Sequence, residues 1–148
     1  MPARRPVLTC RILSISDEEL MHAALVEARK AMAGNEVPIG AVVAVGDAIV
    51  AAAFNQPISM ADPTAHAEIG ALRTAARAIS NYRLTGARLC VTVEPCAMCV
   101  GAMMHARIGT LIYGTPEPKT GAVCSTMSLI DDPSWNHRIT VVAGLMAD

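Results

Sequence analysis

Aromatic side chains are nearly missing from this chain: Phe54, Tyr82, Tyr113 and Trp135 are the only ones, 3% of the residues. That is too few for a platform on which successive nucleobases stack, so any nucleic-acid contact has to be local and set by shape. Net charge is equally scarce, at -1 with a pI near 6.4, and leaves no global electrostatic footprint of a nucleic-acid binder. No apolar run approaches the roughly 20 residues that a bilayer span requires, so no membrane partner is expected. An even set of cysteines is lacking too. Cys10, Cys90, Cys96, Cys99 and Cys124 make five. With no secretory leader, they are expected to stay reduced and to serve a metal or the core.

What is present is apolar. Hydrophobic residues make up 53% of the 148 residues and mean hydropathy is +0.39, which excludes a disordered chain. One domain of this size buries roughly 70% of its unfolded surface without disulfides. Residues 1–15 carry Arg4, Arg5 and Arg11 with Pro2 and Pro6 and no acid. They are expected to form a flexible N-terminal extension to a domain over 16–148, a cleaved targeting peptide being the alternative.

Ser16 and Glu19 have capping-box spacing. Met21, Leu25, Ala28 and Met32 then recur on one helical face, closed by Gly34 and Asn35. Ile39 to Val45 and Ala48 to Phe54 read as a hairpin turning at Gly46-Asp47. Asp62-Pro63-Thr64 predicts the opening of a second helix to about Ser80, with Ile69, Leu72, Ala76 and Ile79 inward. Arg88 to Val93 reads as a central strand, and Pro95 as the first-turn proline of a third helix. Thr110 to Gly114 and Arg138 to Val142 supply two more strands. Helices between strands force crossovers, so one α/β domain with a mixed, helix-covered sheet is expected.

The chemistry concentrates at two helix starts. Cys96 and Cys99 are three apart, so both thiols can share one helical face and reach one ion. The helix dipole favours thiolates at that end. His66 supplies an imidazole. Zinc accepts sulfur and nitrogen, and three protein ligands leave its fourth position to water, whose pKa such sites bring to about 7. Glu68 lies two residues beyond His66, about 200° away in a regular helix. Both face one site only if His66 sits at the helix entry, where Pro63 biases Asp62 away from helical angles. Glu68 is then a carboxylate outside the ligand set, able to carry protons. Alternatives at this point are a redox Cys-x-x-Cys pair, a structural zinc completed by Cys90, Cys124 or His105, and a buried His66 and Glu68 without function.

His66-Ala67-Glu68 with Pro95-Cys96-Ala97-Met98-Cys99 resembles the signature of the zinc-dependent nucleobase deaminases. Further stretches are similar to the bacterial tRNA adenosine deaminase family within them: Glu36 to Val42, Asn55 to Ile58, Asp62 to Leu72, Asn81 to Leu84, Val93 to Met104 and Lys119 to Ala122. The resemblance implies a cytidine deaminase-like fold, three-layer α/β/α with a five-stranded mixed sheet. It implies one Zn2+ per chain held by His66, Cys96 and Cys99, with Glu68 catalytic. It also implies hydrolysis of the wobble adenosine of an arginine tRNA to inosine by zinc-activated water. The partners it implies are the tRNA anticodon stem-loop and a second copy in a homodimer, and the location cytoplasmic. Asn55, Val37 and the Ala65 backbone would hold the purine, and Glu117 and Lys119 would meet neighbouring nucleotides.

This chain has Glu117 where the family usually has aspartate and Pro116 where it often has a basic residue. Family members normally continue past Asp148 into a final helix, which is expected to be missing here. A deaminase of a free base or nucleoside, guanine or cytosine, is the alternative with the same zinc chemistry. A catalytically silent partner subunit is the third reading, and Glu68 argues against it. His137 beside Asn136 and Arg138 is a further candidate for RNA contact.

Overall fold

The computed structural model describes residues 14–147. The expected extension lies almost wholly outside the described residues, as does Cys10. Helix α1 (Asp17–Ala33) starts with the expected capping box: Ser16 Oγ accepts the Glu19 N–H at 3.1 Å and Glu19 Oε2 accepts the Ser16 N–H at 3.0 Å. Its buried face is Leu20, Met21, Ala24, Ala28 and Ala31. Met32, expected on that face, is 60% exposed, because the sheet takes the stripe that runs through Ala31 instead.

Strands β1 (Gly40–Val45) and β2 (Ala48–Phe54) form the antiparallel hairpin, turning at Gly46 with φ 59°. Val43 pairs with Ala51 and Ala44 with Ile49, so Val50 is left as a bulge on β2. A one-turn helix, α2 (Pro57–Met60), follows that the periodicity did not predict. Glu36 caps it, accepting the N–H groups of Ser59 at 2.7 Å and Ile58 at 3.4 Å. Helix α3 (Ala67–Ile79) starts five residues later than Asp62-Pro63-Thr64 predicted. Asp62 Oδ1 accepts both the N–H and the hydroxyl of Thr64, at 2.8 and 2.7 Å, and this local turn outcompetes the helix.

Strand β3 (Arg88–Val93), helix α4 (Ala97–Ala106), strand β4 (Thr110–Thr115), a 3-10 turn at Leu129–Asp131 and strand β5 (Thr140–Ala143) complete the order. Pro95 precedes α4 rather than starting it, since Cys96 is the cap residue. The last strand begins two residues after Arg138, where pairing with β4 starts at Thr140.

The sheet order is β2-β1-β3-β4-β5, with β1 antiparallel to both neighbours and β3, β4 and β5 parallel. The mixed five-stranded sheet of the sequence reading is therefore correct. Strand alternation divides one apolar chain between two cores. Val42, Ala44, Cys90 and Ile112 pack with α1 on one face. Ala41, Val43, Leu89, Val91, Leu111 and Tyr113 pack with α3 and α4 on the other. Two reversals, β2 to β1 and β1 to β3, make β2 and β3 run the same way. The helices that follow them, α3 and α4, thus both begin at one end of the sheet. No helix of the described residues is long and apolar enough to cross a membrane.

The helix α1 lies so close to β1 that a Cβ on Gly40 would fall on the Ala24 carbonyl and within 2.5 Å of the Ala28 nitrogen, both backbone atoms that cannot swing away. Gly40→Ala is therefore expected to lower the unfolding free energy by roughly 1–3 kcal/mol, read as a lower urea midpoint at unchanged slope.

Candidate active site

His66 is the cap residue of α3, with extended angles φ -71° and ψ 153°, and Ala67 opens the helix. That break lets His66 and Glu68 face the same point. Cys96 caps α4 in the same way, at φ -79° and ψ 174°. The two sulfurs are 3.7 Å apart, and each lies 3.6 Å from His66 Nδ1. A tetrahedral ion with Zn–S near 2.3 Å and Zn–N near 2.05 Å sets about 3.8 Å between two sulfurs and about 3.6 Å between sulfur and nitrogen. The observed triangle has those edges, so the donor set fits a tetrahedral ion with one open corner. These three residues are the group that could hold a metal among the described residues.

Glu68 is 4% exposed and its Oε2 stands 3.4 Å from Cys99 Sγ, beside the triangle and outside it. Burial pushes its carboxyl up from the usual range, against a smaller opposite effect of its own backbone N–H and of Cys99. A carboxyl so placed holds a proton more readily than a solvated one. Between the sulfurs a shared hydrogen bond holds Cys96 down at about 5 and, with burial, pushes Cys99 well up. The Cys99 thiol, helped by the Cys99 and Met98 amides at the helix end, thus already favours a thiolate at Cys96, and a cation would favour the second.

Sequence reasoning missed Glu94. It is 3% exposed, one residue before Pro95, and its carboxylate gathers a loop that returns from far along the chain. Oε1 accepts the Glu117 N–H at 3.3 Å, and Oε2 accepts those of Val123, Cys124 and Ser125 at 3.1, 3.0 and 3.0 Å. The Ser125 hydroxyl donates to it as well. Burial alone would raise this carboxyl, but the Cys124 and Ser125 amides, the hydroxyl and the Glu117 amide overcome it and hold it at about 2. A Cβ on Gly121 would land on that carboxylate, so only glycine lets the loop close over it. The same loop bridges to the turn that carries Cys96, with the Ala122 N–H on the Pro95 carbonyl at 2.8 Å and Gly121 paired with Cys96. The available signal was an acid ending the apolar strand Arg88–Val93 directly before Pro95 and Cys96.

The remaining expected site residues divide. Ala65 lines a cleft of about 600 Å³ beside His66, with Gln56, Met60, Gly70 and Arg73. Its carbonyl accepts the Gln56 N–H at 2.9 Å, and the neighbouring Asn55 is buried with its own N–H on the Ile39 carbonyl at 3.0 Å. Val37 is 61% exposed and so is no core residue. Glu117 and Lys119 sit in the loop gathered by Glu94, where Glu117 Oε1 accepts the Lys119 N–H at 2.9 Å. Neither lines the cleft beside His66. Cys90 is a core residue, as expected, its thiol pushed up to about 12 by burial. His137 Nε2 lies 2.7 Å from the Ile108 carbonyl, a tie to backbone.

Residues 15–148 match the family model described as MafB19-like deaminase. A tRNA-specific adenosine deaminase of Haemophilus influenzae is 46% identical over 140 residues, 93% of this chain and 80% of that protein. A solved structure from studies of A-to-I editing by tRNA:A34 deaminases at the wobble position superposes with TM-score 0.85 at 44% identity, covering 88% of this chain and 94% of that one. The guanine deaminase of Bacillus subtilis superposes with TM-score 0.67 at 35% identity, covering 69% and 66%.

Two measurements test the site. Metal analysis of the purified protein is expected to return one ion per chain, and none after His66→Ala. The Glu94 carboxyl is lowered from an ordinary 4.5 to about 2, so its stabilisation is present above about 4.5 and is lost as pH falls toward 2. Glu94→Gln is expected to cost about 3 kcal/mol near neutral pH, with the gap to the parent narrowing in denaturant titrations below pH 4.

Proposed function

The chain belongs to the MafB19-like deaminase family, and on that premise we propose that it is a tRNA-specific adenosine deaminase, converting the wobble adenosine of an anticodon stem-loop, that of an arginine tRNA, to inosine. His66, Cys96 and Cys99 would hold one Zn2+, as their spacing fits. Bound there, zinc would supply a water acidic enough to lose its proton near neutral pH.

The chain's own groups do the rest. Glu68 Oε2 takes the proton that the attacking water releases and passes it to adenine N1 as the C6–O bond forms. It then moves a second proton to the departing amine, so that adenosine and water give inosine and ammonia. Attack builds negative charge on the ring, and an acid fixed beside it removes that charge. The buried Asn55 and the Ala65 backbone beside His66 would orient the purine, with Val37 at the rim. Glu117 and Lys119 would meet the nucleotides on either side, in a loop whose position Glu94 sets. The observation that carries this reading is Glu68 itself, 3.4 Å from a ligand sulfur yet outside the ligand set.

Residues 16–148 would form the deaminase domain. A homodimer is supported by the exposed apolar side chains of Val37, Ile58, Met60 and Met98, and a cytoplasmic location by a tRNA substrate. A second reading, deamination of a free base, is favoured by the likeness to a guanine deaminase and by the near-neutral charge.

Incubation with an anticodon stem-loop carrying a wobble adenosine is expected to yield inosine and ammonia, with free guanine, adenine and cytosine left intact. Turnover of a free base instead would select the second reading. Glu68→Ala is expected to lower turnover by about 10³-fold while metal content stays that of the parent. Loss of the ion in that variant would make Glu68 a ligand and remove its assigned role.

A further inference from the structure

At the far end of α4 from the ligand triangle lies a second cleft, of about 300 Å³, between the α3–β3 loop and the segment before β5. Tyr82, Arg83, His105, Arg107, Trp135 and Asn136 line it, and no carboxylate does. Two of the chain's four aromatic rings and two permanent cations meet here, on a protein whose net charge is -1. Aromatic rings are scarce elsewhere in the chain, and here two of them stand beside two guanidiniums with no acid to neutralise them.

The walls are fixed in advance. Tyr82 is 70% exposed, and the Arg83 guanidinium lies 5.6 Å from its ring centroid while Arg83 Nε donates to the Tyr82 hydroxyl at 3.1 Å. The Arg83 N–H is held by Asn81 Oδ1 at 2.9 Å. On the other wall the Trp135 indole N–H donates to the Leu129 carbonyl at 2.9 Å, and His105 meets that indole edge-on at 6.3 Å. Arg107 donates to the Asn136 carbonyl at 3.4 Å. Each guanidinium uses one donor to hold its own position, and its fork keeps others for an anion. Exposed bases of single-stranded RNA are held by stacking on aromatic rings and guanidinium planes, and phosphates by arginine forks. The volume is that of the smallest ligand sites.

We propose that this cleft is a second RNA contact, holding one unpaired nucleotide with its base against Tyr82 and its phosphate between Arg83 and Arg107. The inference rests on the reading that the substrate is an RNA stem-loop. Helix α4 has Cys96 as its cap, Cys99 in its first turn and His105 in its last, about 9 to 14 Å apart along its axis, a span that one strand of a hairpin loop covers. The cleft then supplies affinity and register away from the reacting base, which a chain whose cations are balanced by acids needs to gather locally.

The test compares the parent with Tyr82→Ala and with Arg83→Gln, both exposed substitutions, using a fluorescein-labelled anticodon stem-loop for binding and the same hairpin for inosine formation. Each variant is expected to raise Kd and KM about 10-fold with kcat and metal content unchanged. Arg83→Gln should also lower the slope of log Kd against log salt by nearly one. Unchanged Kd and KM in variants that still deaminate the hairpin would overturn the proposal and leave the deaminase reading intact. A shift in sedimentation state without a change in RNA affinity would overturn it as well, making the cleft a protein interface. If the parent binds the hairpin without deaminating it, the deaminase reading fails, while weaker binding by the two variants still supports the cleft.

Discussion

Two helices can bring metal-binding donors to one point only when they begin at the same end of a sheet, and here strand direction decides that. The hairpin turns the chain once, and the antiparallel pairing of β1 with β3 turns it again, so β2 and β3 point the same way. β3 leads directly, and β2 by way of α2, to a helix whose cap residue gives a donor to the triangle: His66 before α3 and Cys96 before α4. Cap residues keep extended angles, which is why their side chains project over the helix end instead of along its flank. Had either residue been one position deeper in its helix, its side chain would have rotated by about 100° and left the triangle.

Two buried carboxylates beside that triangle behave in opposite ways because their partners differ. Glu68 lies among sulfurs and apolar groups, and burial pushes its carboxyl up. Glu94 receives amides from the returning loop and is held at about 2 despite the same loss of solvent. Glu94 therefore keeps its charge and fixes backbone, while Glu68 takes up a proton more readily than a solvated carboxyl does. A fixed anion also supports the turn that carries Cys96, so the triangle of donors is braced by a group outside it.

Much of this was legible in the residues. The capping box at Ser16, the hairpin, the pairing of Cys96 with Cys99, and the need for His66 to sit outside its helix all follow from local spacing. The roles of Glu94 and Glu36 were not legible, because each carboxylate serves amides 22 to 31 residues away in sequence. No periodicity reports a contact of that kind. The helix starts were read too early for a related reason: Asp62 and Pro63 are good openers, but the Asp62 side chain was already engaged with Thr64 in a turn of its own. Val37 shows the same limit, since an apolar residue in a loop is inward or outward according to how its neighbours are anchored, and Glu36 takes the inward place.

The bulge at Val50 reaches beyond the hairpin that contains it. It lies on β2, one of the two rims of the sheet, and it breaks the even ladder of amides and carbonyls that another strand would have to match. The opposite rim, β5, is four residues long. Neither rim makes a good template for endless strand-by-strand growth, so a sheet built largely from alanine and valine is protected from polymerising through its borders. Stable association of folded copies is left to side-chain surfaces, where shape and sequence can limit it to a closed number.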